Sequence, residues 1–268
     1  MTRLTEQDVT ALVAELATFE EKLSESAGMG LRELAMHTVT EPAACVPLYG
    51  AHLAAVPMTC GLGVIGGFCD AVAAVLRHLG ADAWVTAQPD ARGIQEAVTH
   101  GADVLFLADD FRFIALDLHR GRCVDNDVAT ADGYVTALEA AAGGLDGRQV
   151  LLLGLGPVGR AAARRLAGRG AAVAAVEPDG ERLQAALDVG LEVEPVSLTD
   201  GLARCDLVFD ATPAAGFIDA ERAASIAVAA VPGFPSAFTA EAQAVLGARH
   251  IHEPLAVGVA VMAVRALS

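Results

Sequence analysis

The segment from Gln149 to Ala163 constrains this chain more than any other. Gln149-Val-Leu-Leu-Leu153 reads as a strand buried on both faces, and it runs straight into Gly154-Leu155-Gly156-Pro157-Val158-Gly159 and an Ala-rich helix. In a strand–turn–helix unit each glycine has its own task. Gly154 permits the tight turn, Gly156 lets a pyrophosphate approach the backbone, and Gly159 lets the helix pack on the strand. Leu155 and Val158 fill the turn between them. Pro157 stands at the first helical position, where the missing N–H has no intrahelical partner anyway. The next predicted strand, Ala172–Val176, ends at Glu177, 23 residues after Gly154. A carboxylate there accepts hydrogen bonds from ribose hydroxyls and repels a 2′-phosphate, so the expected cofactor is NAD rather than NADP. The competing reading is a glycine-rich turn that holds no nucleotide.

The alternation around this unit extends it into an α/β architecture. After Asp146, strand-like and helical runs succeed one another at Val150–Leu153, Val158–Ala167, Ala172–Val176, Glu181–Leu187, Asp206–Ala211, Ile226–Val231 and Ala240–Leu246. The first half begins with a helix from Thr5, where Val9, Leu12, Val13, Leu16, Phe19 and Leu23 step at helical spacing. A short helix at Leu31–His37 follows and breaks at Glu41-Pro42. Then Leu53–Met58, Val64–Leu79, Ala83–Val85, Ile94–His100 and Val104–Leu107 read as β-α-β-α-β, the pattern of a parallel sheet. Phe111–Val124 reads as a hairpin turning at Arg120-Gly121. Asp127 to Ala142 is a long helix stopped by Gly143-Gly144. The expected organisation is an N-terminal α/β substrate-binding domain with parallel strands (1–126), a linking helix (127–144) and a C-terminal Rossmann-type NAD-binding domain (145–268).

Composition excludes several kinds of chemistry. Thirty-four acids against eighteen bases give a formal charge of −16, which repels nucleic acid and anionic membrane surfaces alike. No apolar run approaches the roughly 20 residues that span a bilayer. Lys22 is the one lysine, so a Schiff-base mechanism has almost no candidate residue. The five cysteines are odd in number, widely spaced and without a C-x-x-C pair, which suits a reducing compartment. With no secretory signal at the amino terminus, the expected location is the cytoplasm.

In open α/β sheets, ligands bind beyond the carboxyl ends of the strands. Thr59-Cys60-Gly61 and Asp109-Asp110 fall at such ends in the first half. Asp125, Asn126 and Asp127 form a second acidic group across the hairpin, and together these residues suit an ammonium ligand better than an anion. Taken singly, they also serve as helix caps and solvated turn residues. In the second half, Asp210-Ala-Thr212-Pro213 and Val231-Pro-Gly-Phe-Pro235 end strands and are candidate lips of the nicotinamide pocket. A pair of imidazoles, His250 and His252, is a weak candidate for a metal, since no third ligand is spaced to match.

These residues together resemble the pyrrolysine synthase family. The likeness lies in Val56-Pro-Met-Thr59-Cys60-Gly-Leu-Gly, continuing to Gly66-Gly-Phe68, in Gly101-Ala-Asp-Val-Leu-Phe-Leu-Ala-Asp109-Asp110, in Asp125-Asn126, in Thr130-Ala-Asp-Gly-Tyr134 and in the glycine fingerprint. It runs nearly end to end, from Leu4-Thr5 to Glu253-Pro-Leu-Ala-Val-Gly-Val-Ala. The resemblance implies NAD-dependent oxidation of the terminal amine of 3-methylornithyl-N6-lysine, a small dipeptide-like molecule, followed by closure of the pyrroline ring. By similarity Asp109 and Asn126 are the expected catalytic pair, Leu4 and Phe68 pocket walls, and Thr59, Cys60 and Asp110 further substrate-binding residues. Cys60 stands where the family pattern carries serine, exchanging a hydroxyl for a weaker thiol donor. Two alternatives stay open from the residues alone: another NAD-linked amine or amino-acid dehydrogenase, and a non-catalytic NAD-sensing module.

Overall fold

A computed structural model describes residues 6–39, 48–63 and 65–268, with side chains from Glu15 onward. The chain divides into two compact units. The first gathers the described residues of 1–18, 31–130 and 255–268, and the second those of 19–30 and 131–254.

In the first unit the helices α1 (Glu6–Ala27) and α2 (Leu31–Met36) precede the β-α-β-α-β run of β1 (His52–Val56), α3 (Phe68–His78), β2 (Asp82–Val85), α4 (Asp90–Thr99) and β3 (Val104–Ala108). The hairpin strands β4 (Phe113–Asp117) and β5 (Cys123–Asp125) complete a five-stranded sheet of order β2-β1-β3-β4-β5. β1 lies parallel to β2 and β3, whereas β3, β4 and β5 run antiparallel to one another in turn. The sequence explains both kinds of strand. β1 is apolar at nearly every position and buried at Leu53, Ala54, Ala55 and Val56, as a strand covered on both faces must be. β4 alternates, burying Phe113, Ala115 and Asp117. Buried Asp117 holds the hairpin turn by accepting from the backbone N–H of His119 and Arg120 at 2.8 and 3.1 Å.

Two boundaries shift from expectation. β1 stops at Val56 because Pro57 has no N–H to give the ladder. α3 starts at Phe68 rather than Val64, since Gly67 at its N-terminus has φ 77°, a conformation that breaks helical continuity and suits glycine.

The chain leaves the first unit through α5 (Asn126–Ala142). The second unit holds β6 (Gln149–Leu153), α6 (Pro157–Ala167), β7 (Ala172–Val176), α7 (Gly180–Asp188), β8 (Glu194–Pro195), α8 (Leu198–Arg204), β9 (Leu207–Asp210), α9 (Ala220–Ala223), β10 (Val228–Ala230), α10 (Ala240–Leu246) and β11 (His250–Ile251). All six strands are parallel in the order β11-β10-β9-β6-β7-β8. This is the doubly wound Rossmann order, with its reversal of direction between β6 and β9. The core of the unit collects Leu151, Leu153, Val208, Ile226, Ala229, Phe238 and Leu246.

The last helix, α11 (Ala256–Leu267), lies in a stretch expected to belong to the nucleotide-binding domain, yet it packs in the first unit, against α2, α3, β4 and β5. The first unit also grips its carboxyl end. Arg120 donates to the Leu267 carbonyl, Arg122 to the Arg265 carbonyl and the Ser268 hydroxyl, and Arg265 to the Thr38 carbonyl. Cations at the last turn satisfy carbonyls that have no intrahelical donor. Among the described residues, no helix is long and apolar enough to cross a membrane.

Candidate active site

In the second unit the carboxyl edge of the sheet is built around the glycines. Leu153 stands level with Val176 on one side and Asp210 on the other, so Gly154, Glu177 and Ala211 emerge together. Gly154 has φ 86°, and a Cβ there would lie 3.1 Å from the Ala211 carbonyl. Gly159 lies against Gly154 so closely that a Cβ would come to 2.0 Å from its carbonyl oxygen. Gly156, by contrast, faces open space. It precedes Pro157 at the start of α6, a helix end that no side chain caps. Backbone N–H groups at an uncapped helix start, reached over a residue without a side chain, are the donor set a pyrophosphate requires.

Glu177 is placed at the tip of β7 with its side chain only 2% exposed. Its Oε2 accepts from the Leu155 N–H at 2.8 Å and its Oε1 from the Asp179 N–H at 3.0 Å. The acid, expected to meet a ribose, holds the glycine turn with one oxygen and the Asp179 backbone with the other. Arg182 stands 3.5 Å away.

On the other side of β6 the organising group is Asp210. It is fully buried, and burial pushes its carboxyl up from the usual range against the hydrogen bonds it receives. Its Oδ1 accepts from the N–H and hydroxyl of Thr212 at 3.0 and 2.7 Å, and its Oδ2 from the Ala237 N–H at 2.9 Å. Thr212, in one of the candidate lips of the nicotinamide pocket, gives its hydroxyl proton to Asp210, while Pro213 is exposed at the turn. Gly233 packs against the same turn, donating to the Asp210 carbonyl at 2.8 Å, and a Cβ on it would sit 2.4 Å from the Thr212 carbonyl. The two candidate lips are one packed surface.

The imidazoles lie beside it in separate structural roles. His250 Nε2 is 3.2 Å from the Ser236 hydroxyl and His252 Nδ1 is 2.7 Å from the Val231 carbonyl, which makes that nitrogen the protonated one. Burial lowers both, His250 to about 3, so both rings are neutral. Among the described residues no group of three or more metal-ligating side chains forms, here or elsewhere.

In the first unit the expected substrate residues meet at the carboxyl edge of its sheet. Asp109 Oδ1 accepts from the N–H groups of Phe111 and Arg112, both at 2.7 Å, and so holds the turn after β3. Its Oδ2 has no partner among the described residues, and the residue is exposed. Asp110 Oδ2 accepts from the Leu62 N–H at 2.7 Å. This needs Gly61, where a Cβ would sit 1.9 Å from that oxygen. Arg112 reaches Asp125 at 2.6 Å, and Asp125 accepts from the Asp127 N–H at 2.8 Å. Burial, with Asp125 alongside, raises the Asp127 carboxyl. Asn126 opens α5 and its Oδ1 lies 3.4 Å from the Thr130 hydroxyl. Phe68 meets Phe113 edge to face at 5.3 Å. Cys60 is exposed at the loop tip after β1. Leu4 lies outside the described residues.

Two residues here escaped the sequence reading. Asp90 accepts from the Thr59 N–H at 2.8 Å and from its hydroxyl at 2.5 Å, and these bonds lower its pKa. Gly258 in α11 passes so close to α5 that a Cβ would fall 2.5 Å from Asn126 Oδ1 and from Thr130 Oγ1. The only available signal for Gly258 was its place within the Glu253–Ala260 segment.

Comparison with known proteins identifies what this arrangement belongs to. Residues 8–124 match the family model for the N-terminal domain of the pyrrolysine biosynthesis protein PylD, and residues 114–227 match that for the NAD binding domain of D-isomer specific 2-hydroxyacid dehydrogenases. The pyrrolysine synthase of Methanosarcina acetivorans is 33% identical over 216 residues, 77% of this chain and 79% of that protein. That of Methanosarcina barkeri is 30% identical over 269 residues, 98% and 97% of the two chains. The chain belongs to the pyrrolysine synthase family. As a member of the pyrrolysine synthase family with a matched NAD-binding domain, it is an NAD-dependent oxidoreductase. Among solved structures, the quinate dehydrogenase of Corynebacterium glutamicum in complex with NAD superposes with a TM-score of 0.55 over 82% of this chain and 94% of that one. At 16% identity this likeness concerns the fold alone.

Proposed function

We propose that this chain oxidises the carbon bearing the terminal amine of 3-methylornithyl-N6-lysine and so delivers the pyrroline ring of pyrrolysine. Held at Gly156 and the start of α6, NAD would supply the acceptor for the hydride that leaves that carbon. The amine loses a proton and becomes an imine. The ornithyl α-amino nitrogen then attacks the imine carbon and ammonia departs, or it condenses with the aldehyde that water first releases.

The first unit supplies the amine-binding groups in this reading. Asp109 uses one oxygen to fix its own turn, which leaves the other to accept from an ammonium or amine N–H. Asn126, pinned by the close approach of Gly258, offers an uncharged partner for the ornithyl α-amino end. Phe68, braced by Phe113, supplies an apolar wall, with Thr59 and Cys60 on the loop after β1 and Asp110 on the turn after β3. In the second unit Gly156 and the start of α6 take the pyrophosphate, with Leu155 and Val158 in the turn and Pro213 at the rim. Glu177 takes the adenosine ribose. The four described cysteines are free thiols, in keeping with a cytoplasmic enzyme.

The observation that supports the reading is the open carboxylate oxygen of Asp109 on the sheet edge where the expected substrate residues lie. The test is NADH formation, followed by its absorbance, from NAD and 3-methylornithyl-N6-lysine, with the cyclic product confirmed by mass. Formation of both is expected. NADH formed only from other amines would assign a different dehydrogenase, and NAD binding without turnover of any amine would assign a sensor.

A further inference from the structure

The loop after β1 is held from both sides by carboxylates that arrive from its two neighbouring strands. From β3 comes Asp110, which binds the Leu62 N–H. From the far end of β2 comes Asp90, whose two oxygens both engage Thr59, one at the backbone N–H and one at the hydroxyl. Cys60 and Gly61 are the residues left between the two clamps.

Asp90 adopts an unusual conformation to do this. Its φ is 53°, the one positive value at a non-glycine position among the described residues. An L-residue rarely enters that region, and asparagine, aspartate and glycine enter it most easily. Its N–H donates to the Pro57 carbonyl at 2.9 Å, so backbone and side chain grip the same loop. Helix α4 behind it is seated tightly, since a Cβ on Gly93 would lie 2.2 Å from the Gln88 carbonyl. The carboxylate therefore stands on a rigid base. Outliers of this kind persist where the surroundings enforce them, and they cluster at functional sites.

We propose that Asp90 is the positioning residue of the amine-binding loop, fixing Thr59 so that Cys60 is presented to the substrate. It acts through Thr59 and touches no reacting atom. This rests on the reading of the first unit given under the proposed function.

Replacement by glycine separates positioning from folding, because glycine adopts the left-handed backbone without strain. In Asp90→Gly the KM for 3-methylornithyl-N6-lysine rises about tenfold or more, as loss of two hydrogen bonds to a charged group predicts. Its kcat changes less than its KM, its Kd for NAD is unchanged and its Tm is not lowered. Asp90→Asn, which keeps an acceptor for the Thr59 N–H, has a smaller effect on KM. Thr59→Val also raises KM, and the double variant Asp90→Gly/Thr59→Val is no worse than the poorer single one, since both remove the same contact. A wild-type KM in Asp90→Gly, or fully additive effects in the double variant, overturns the proposal. Cys60→Phe, a bulky change at an exposed position, tells the two levels apart. If it blocks amine turnover while Asp90→Gly has the wild-type KM, the positioning role falls and the site stands. If Cys60→Phe turns over the amine normally, the site itself is elsewhere and the positioning role falls with it.

Discussion

The two sheets end in edges of opposite electrical character. In the first unit the carboxyl edge carries Asp90 at the start of α4, Asp109 and Asp110 in the turn after β3 and Asp125 at the end of β5, each accepting from a neighbour, with Arg112 the cation bonded among them. In the second unit the turn after β6 carries no charge, and an uncapped helix points its N–H groups outward beyond Gly156. Acid side chains there, Glu177 and Asp210, are drawn inward to hold backbone. Loops rich in aspartate make the carboxyl edge of the mixed first sheet negative, whereas a turn built from glycine presents bare backbone N–H groups at that edge of the all-parallel second sheet. Strand order sets where a ligand binds, and loop composition sets its charge.

The contrast breaks most completely at the glycine turn. Gly159→Ala pushes a Cβ into the Gly154 carbonyl, and forced overpacking of this kind costs about 1–3 kcal/mol. Where that strain displaces the turn that holds the pyrophosphate, NAD binding is expected to weaken by about fivefold to a hundredfold by calorimetry, the range that such a loss corresponds to.

Asp109→Asn tests the other edge with less disturbance. An amide oxygen still accepts from Phe111 and Arg112, so the turn survives and the charge alone is lost. Amine kcat/KM should fall about tenfold to a hundredfold with unaltered Kd for NAD, the scale of hydrogen bonds to charged groups. Unchanged turnover would remove Asp109 from the site.

Glu177→Gln sharpens the difference between the two uses of acid. It keeps an acceptor for Leu155 yet removes the charge that repels a 2′-phosphate. The ratio of kcat/KM for NAD over NADP should drop about tenfold, the effect of relieving one close charge repulsion. A constant ratio would mean that discrimination resides in another residue.

A further difference between the units concerns stability against acid rather than binding. His250 is neutral when folded, with its pKa lowered from 6.5 to about 3 by burial, with His252 and Lys22 adding to the shift. The unfolded chain takes up a proton below about pH 6.5 and the folded one does not. Its contribution is therefore intact above pH 6.5 and is lost as the pH falls toward 3, by up to about 1.4 kcal/mol per pH unit. His250→Gln should flatten the acid limb of a urea-unfolding series between those values. An identical limb in both proteins would show that the ring titrates normally.

Legibility in the sequence followed burial pattern and distance along the chain. The strand–glycine–helix unit, both parallel runs and the hairpin were readable, because period and turn chemistry are local. Helix α11 was not, since eleven of its twelve residues are buried and a helix with no polar face has no helical period to detect. The edge strands β8 and β11, of two residues each, are shorter than any pattern. At the sites, Asp109, Asp110 and Asn126 were visible as polar residues at strand ends. Asp90 was hidden because its partner is 31 residues away, and Pro89-Asp90 looks like an ordinary helix start. Thr212 was visible, but the buried Asp210 that claims its hydroxyl was not distinguishable from any acid ending a strand.

That α11 completes the first unit has a consequence for biosynthesis. The ribosome makes residues 31–130 before Leu255–Ser268, so the first unit stays unfinished until the whole stretch 131–254 has been made. The dinucleotide half, whose strands are all complete by Ile251, is ready sooner. Expression of a fragment ending at Thr130 leaves the apolar surfaces of α2, α3 and β4 uncovered where α11 belongs, and such a fragment should aggregate unless the terminal helix is supplied as a separate peptide.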